Sequence, residues 1–210
     1  MQLLGRLRIR SRERMAGFLN AEHVGRLATI DPDGYPQIIP MNFVFLNDAI
    51  YMHSHPRGEK LENMRANPRS GFEVDRELEF LPSYFSSPTD ASLADTLYIS
   101  VVIKGESSLV GDPHEKTLAL NALMRKYQPE GRYEPIRPEM DVLNHVAVIR
   151  VSATDMRGKY KIGQHMNRTD RTDLAQKILE RNSPSARETL RVMGFEVTAD
   201  GLKMTDEPLW

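Results

Sequence analysis

The chain has 210 residues, a mass of 24.0 kDa, 40% apolar residues, no cysteine and a formal net charge of -1. That apolar content supports a buried core, so one domain, or one domain with an appendage, is expected and wholesale disorder is excluded. Without cysteine there is no disulfide scaffold, thiol catalysis or thiolate-held metal, and near-neutrality argues against a protein built to grip nucleic acid.

Taken from the N-terminus, the first apolar residues are interrupted by Arg6, Arg8, Arg10, Arg12 and Arg14. They form no signal core, and no later run reaches the ~20 apolar residues of a membrane span. A cytoplasmic protein is the expectation. Ser11 to Leu19 reads as a short helix, capped by Ser11, with Met15, Phe18 and Leu19 on one face. Val24 to Ile30 reads as a strand that ends at the turn Asp31-Pro32-Asp33-Gly34. Tyr35 to Leu46, the turn Asn47-Asp48, and Ala49 to His53 continue an antiparallel meander. Pro56 to Ala66 is expected to be a helix, stopped by Asn67-Pro68. Ser70 to Val74 is a strand, and Glu77 to Asp95, with two prolines and no clear period, is a loop.

Leu97 to Val110 reads as a long strand region broken near Lys104-Gly105. Asp112-Pro113-His114-Glu115 opens a helix running to about Tyr127, with Leu120, Leu123 and Tyr127 inward. Gln128 to Pro138 is a loop, Asn144 to Ala153 a strand, and Thr169 to Arg181 and Ser185 to Met193 are helical. The early strands are joined by turns too short for helical crossovers. A mainly β, antiparallel barrel of about six strands with peripheral helices fits best.

Dinucleotide and nucleoside-triphosphate glycine loops, zinc-protease helices and serine-hydrolase elbows are missing from the sequence. The basic residues are 20 Arg and 8 Lys, which suits phosphate binding but also follows from base composition. The most suggestive stretch is His53-Ser54-His55-Pro56-Arg57-Gly58-Glu59-Lys60, a strand end running into a helix start. Free amides at a helix N-terminus, with Arg57 and Lys60 one turn apart, make a phosphate cradle. The plainer reading is a capped turn with solvated cations. His53 and His55 also form a His-x-His pair with no third metal ligand nearby, so no metal is expected.

In Ile38 to Phe45, Met41, Phe43 and Phe45 alternate, Pro40 marks an edge or bulge, and Asn42 is the polar residue. Such a strand reads the rim of a flat ring, or simply turns Asn42 to water. Gly158-Lys159-Tyr160-Lys161-Ile162-Gly163-Gln164 reads mainly as a surface turn. His23, His114 and His145 are taken as structural, and Trp210 packs on the core or on a partner.

These residues also carry a resemblance. Val24 to Ile30, Asp33 to Pro36 and Pro40 to Phe43 resemble the flavin-binding split-barrel proteins related to pyridoxamine 5′-phosphate oxidase. Tyr51 to Ser54, Gly58 to Leu61, Arg65 to Arg69, Ser100 to Gly105 and Asp112 to Lys116 resemble its nitroimidazole-resistance (Nim-type) branch. Lys159 to Gln164 is similar to a Lys-Leu-Ser-Gln segment of related FMN-binding regulator-like proteins. The likeness runs from about Arg10 to Asp173.

It implies a six-stranded antiparallel split β-barrel and a homodimer with FMN at the interface. By position, His53, Ser54, His55, Arg57 and Lys60 would hold the phosphate. Pro40, Met41, Asn42 and Phe43 would lie along the isoalloxazine ring with Thr29 nearby, and Lys161 and Gln164 would close the site. Residues 1–183 would form the FMN-binding domain, and 184–210 a helical extension packed on that domain or on the partner. The implied activity is FMN-dependent reduction of a nitro compound, quinone or similar small acceptor by NAD(P)H; His53, ending a strand beside the proposed site, is the candidate catalytic group because histidine can shift protons near neutral pH. A flavin-, deazaflavin- or heme-binding sensor without turnover is the alternative. Ile39 and Val44 stand where the oxidase proper has Arg and Lys for its phosphate, so that oxidase reaction is not expected. The cysteine that Nim-type relatives often carry within 77–95 is missing.

Overall fold

The computed structural model describes residues 5–205, which leaves Trp210 outside the described residues. In chain order the strands and helices are β1 (Arg8–Ile9), α1 (Arg12–Ala21), β2 (Val24–Ile30), β3 (Pro36–Asn42), β4 (Val44–Leu46) and β5 (Ala49–Ser54). There follow α2 (Glu59–Ala66), β6 (Arg69–Leu81), β7 (Asp95–Leu109), α3 (Pro113–Tyr127) and β8 (Ala147–Lys161). The C-terminal part holds α4 (Arg168–Arg181), α5 (Ala186–Val192), β9 (Phe195–Thr198) and β10 (Gly201–Met204).

The expected meander is present, and its turns show why. Gly34 takes φ 89°, and Asp31 accepts the Tyr35 amide on its carboxylate at 2.7 Å. Asn47 and Asp48 both have positive φ, as the tightest hairpin turn demands. The expected strand Tyr35 to Leu46 is divided at Phe43. There the Tyr127 hydroxyl accepts the Phe43 amide at 2.8 Å, and the chain changes partners. β3 pairs with β2, and β4 pairs with β5, both antiparallel.

Two further expectations are corrected. β6 continues to Leu81, into the segment expected to be a loop, because Leu78 and Leu81 are buried and the enclosed Glu79 carboxylate between them is met by Arg181 and two serine hydroxyls. β7 is unbroken at Gly105, where a Cβ would lie 2.4 Å from the Ser152 carbonyl oxygen. Glycine there permits close passage of backbone rather than a break. Beyond α5, the expected helical extension also contains the hairpin β9–β10.

The described chain divides into two compact units: residues 13–74 with 101–157, and the remainder, 5–12, 75–100 and 158–205. In the first unit the strand order is β3-β2-β6-β7-β8-β5-β4, and β3 comes back against β5. Leu27, Ile50, Met52, Phe72, Ile103 and Ile149 are fully buried in it. A separate cluster covers β4 and β5 with α3, through Val44, Tyr51, Leu120 and Leu123. The Asp112 carboxylate caps α3 by accepting the Glu115 amide at 2.8 Å.

Under α3 the Tyr51 hydroxyl donates to the Glu115 carboxylate at 2.7 Å. Burial first, and that acceptor second, push the Tyr51 phenol up to about 12. Unfolded tyrosine loses its proton near pH ~10. Between those values the folded chain therefore holds more protons than the unfolded chain, and stability falls as pH rises. Thermal midpoints of wild type and Tyr51→Phe are expected to differ most below pH ~10 and to converge across pH ~10–12, the variant losing less.

In the second unit β1 pairs with the end of β8, and α4 and α5 pack with the hairpin. The Asn167 side chain caps α4 by accepting the Asp170 amide at 2.8 Å, and Asn182 ends it in the left-handed region.

Candidate functional site

β5 ends at Ser54, and the chain turns into α2 within four residues. The turn holds itself. The Ser54 hydroxyl donates to the His55 carbonyl at 2.9 Å, and the Arg57 amide donates to His55 Nδ1 at 3.1 Å. Ser54 thus spends its proton locally, and His55 offers only its other ring nitrogen outward. Gly58, with φ 146° and ψ 156°, sits at the N-cap of α2 and supplies no side-chain cap. Its carbonyl accepts from Leu61 and Glu62, which leaves the Glu59 and Lys60 amides without acceptors among the described residues.

A helix N-terminus in that condition favours an anion. Neither Arg57 nor Lys60 forms an ion pair among the described residues, although Glu59 and Glu62 stand in the same first turn. His53 and Arg57 are exposed, and Ser54 and Lys60 half-buried. The backbone of Gly58 lies in a region open essentially to glycine alone. Gly58→Ala is expected to cost about 1–3 kcal/mol in urea denaturation, although the new methyl would meet open space. A loss below about 0.5 kcal/mol would contradict this backbone geometry.

Asn63 anchors the turn from below. It is 1% exposed, and its amide donates to the Thr29 hydroxyl at 3.3 Å and to the Gln37 side-chain oxygen at 3.4 Å. One buried amide therefore joins α2 to β2 and β3. The sequence reading missed Asn63 and Gln37. The signal available was the odd-numbered burial of Gly25, Leu27 and Thr29 along β2.

Register sorts the remaining candidates. Pro40 lies opposite Arg26, and Asn42 opposite Val24, on the exposed face of β2 and β3. Met41 lies opposite Gly25, on the side where a Cβ at Gly25 would run into Phe72. Phe43 is fully buried, edge-on to Phe72 at 5.0 Å and covered by the Lys126 ammonium 3.8 Å from its ring centre. Thr29 is 1% exposed. Pro40 and Asn42 are thus exposed, while the Thr29 and Phe43 side chains are enclosed beneath them.

β3 ends the strand order and approaches β5, so Pro40 and Asn42 belong to the same unit as the 53–60 turn. Lys161 and Gln164 belong to the other unit. There Lys161 pairs with Asp95, and the Gln164 amide donates to the Tyr160 carbonyl at 2.6 Å. No group of three or more metal-ligating side chains occurs among the described residues. No helix among them is long and apolar enough to cross a membrane.

Lys126 was also missed. Burial lowers its pKa to about 8, opposed by Glu22, while it donates to the Leu19 carbonyl at 3.0 Å. A further groove of about 450 Å³ lies on the outer sheet face, floored by Ala28, Gly71 and Gly105 and flanked by Arg69 and Lys104.

A family model described as pyridoxamine 5′-phosphate oxidase matches residues 11–160. No curated protein matches the chain. Among solved structures, a candidate 5-nitroimidazole antibiotic resistance protein from Bacteroides thetaiotaomicron is 23% identical, with a TM-score of 0.62 over 73% of this chain and 86% of that one. The flavocytochrome Anf3 from Azotobacter vinelandii is 20% identical, with a TM-score of 0.61 over 74% and 69%. An FAD and heme binding protein from Mycobacterium smegmatis is 20% identical, with a TM-score of 0.61 over 73% of each chain. At such identities the likeness is one of fold: an antiparallel split barrel with peripheral helices. The six expected strands correspond to β2, β3 with β4, β5, β6, β7 and β8, with β1 added at the edge.

Proposed function

The chain belongs to the pyridoxamine 5′-phosphate oxidase family, and from that premise we propose that it is an FMN-dependent oxidoreductase. In this reading it takes electrons from NAD(P)H and reduces a small acceptor such as a nitro compound or quinone. The observation that carries the reading is the self-held turn at 53–60: uncapped helix amides and two cations without ion pairs. That donor set fits the phosphate end of a flavin mononucleotide.

Arg57 and Lys60 would neutralise the phosphate, and the amides of Glu59 and Lys60 would donate to it. Pro40 and Asn42 would border the ring, Asn42 supplying a polar group at its rim. Thr29, Gln37 and Asn63 hold the two parts in register. Met41 and Phe43 stiffen the strand from its buried side. When bound, the flavin supplies the redox chemistry, and the protein supplies position and a dry cleft. His53, exposed at the end of β5, would hold or deliver a proton at the mouth. We further propose a homodimer with the flavin between copies, with Lys161 and Gln164 closing the site. Exposed Ile38, Val24 and Tyr35 on and beside the edge strand favour such pairing.

A second reading, a flavin, deazaflavin or heme sensor without turnover, draws on one observation. The His53 ring makes no hydrogen bond among the described residues, whereas a working acid or base is usually oriented by a second group. Two names among the structural neighbours, a flavocytochrome and an FAD and heme binding protein, also point to redox cofactors in this fold.

The test is a visible spectrum of the purified protein, followed by anaerobic addition of FMN and then NADH or NADPH. Bound flavin that bleaches is the expected result. Tight flavin that neither reductant bleaches favours the sensor, and failure to bind any FMN would sink both flavin readings.

A further inference from the structure

The unit containing β1 carries three cations, Arg6, Arg8 and Lys159, that the proposed flavin site leaves unused. Along β1 and the end of β8 the burial alternates: Ile9, Gly158 and Tyr160 are buried, and Arg8, Lys159 and Lys161 face outward. The pairing sets Arg8 directly opposite Lys159. Like charges opposite one another in an antiparallel pair are unfavourable, so this arrangement works against the strand it sits in. On the neighbouring outward face the Lys159 ammonium lies 5.0 Å from the centre of the Tyr98 ring.

The turn after β8 adds to the positive field. The Gln164 side chain accepts the Ile162 amide at 3.1 Å and donates to the Arg6 carbonyl at 3.4 Å, tying the N-terminal segment to this turn. His165 beside it is held below the usual imidazole range, first by burial and then by Arg6 and Lys161, with Asp95 opposing. Asp95 is already paired with Lys161. Arg6, Arg8 and Lys159 have no ion pair among the described residues.

We propose that Arg6, Arg8 and Lys159, beside the Tyr98 ring, form an anion site for a nucleotide, its phosphates on the cations and its base against Tyr98. An anion there relieves the Arg8–Lys159 repulsion, and the aromatic face selects a ligand that carries a ring as well as a charge. Three cations on a chain of net charge -1 suit a small nucleotide better than a nucleic-acid strand. It rests on no part of the flavin reading.

The experiment titrates ADP into the full chain by calorimetry, with FMN saturating so that the 53–60 turn is occupied. If the protein takes no FMN, the Arg57→Ala/Lys60→Ala variant serves instead, which keeps the two proposals separable. ADP is expected to bind with a salt-dependent affinity that Arg8→Ala/Lys159→Ala weakens at least about tenfold. Inorganic phosphate should compete, but more weakly than ADP, because it lacks the ring. Arg8→Glu should abolish ADP binding while raising the thermal midpoint, since it faces Lys159 with an opposite charge; a lost fold would lower both. The proposal is overturned if ADP does not bind, or binds the variants as it binds wild type. It is also overturned if a single-stranded oligonucleotide binds more than about tenfold tighter than ADP, which would mark a nucleic-acid face.

Discussion

Replacing Arg57 and Lys60 together by alanine is expected to weaken FMN binding by about two to three orders of magnitude, with no change in the melting of the flavin-free protein. Each charge-assisted hydrogen bond to a phosphate contributes about 1.5–3 kcal/mol, and two that partly overlap give about 3–4 kcal/mol. The melting is unaffected because neither side chain has an ion pair to lose among the described residues, and Arg57 is exposed. The single variants should each lose at least about tenfold. Glu59→Gln should move affinity the other way, since it removes a carboxylate from the first turn of α2. Fluorescence titration of FMN against wild type and the four variants checks the series. An affinity within about threefold of wild type for the double variant would place the phosphate elsewhere.

The second large effect is on stability and lies in the other unit. Glu79 is 2% exposed, yet it carries a carboxylate. Arg181 donates to one oxygen at 2.8 Å, and the Ser185 hydroxyl to the other at 2.8 Å, joined by Ser183. Arg181→Ala leaves that carboxylate enclosed with two hydroxyls alone and is expected to cost about 3 kcal/mol. Glu79→Gln keeps the shape and removes the charge, while Arg181, partly exposed, turns to water; about 1 kcal/mol is expected. Urea denaturation of the two variants checks the order. Equal or reversed losses would mean that packing, rather than the enclosed charge, dominates at this point. Glu79 ties the turn after α4 to β6, alongside the Thr189 hydroxyl on the Leu78 carbonyl and the Arg76–Glu188 pair, so Arg181→Ala should also speed proteolysis near Ser183 and Ser185.

The local elements were legible because their causes lie within a few residues. Gly34, Asn47 and Asp48 adopt the backbone their residue types favour, and Asp112 and Pro113 begin α3 as expected. The turn at 53–60 was visible for the same reason, since a strand end and a helix start share adjacent sequence. Extended pairing was less legible. Glu79 read as a loop residue, because Arg181, Ser183 and Ser185, about a hundred positions away, are what make a buried glutamate tolerable in β6. The hairpin β9–β10 was absent from the sequence reading altogether, and β8 ran on past its expected end at Ala153.

By itself the amino-acid sequence determined the antiparallel meander, the family likeness over residues 11–160 and the cationic turn, all of which rest on short-range backbone preferences and fixed spacing. Only the tertiary structure decided which side each candidate faces. Strand alternation offers two faces, and long-range pairing chooses between them: Pro40 and Asn42 outward, Thr29 and Phe43 enclosed. The same pairing set Arg8 against Lys159, two residues about 150 positions apart whose repulsion no local pattern announces.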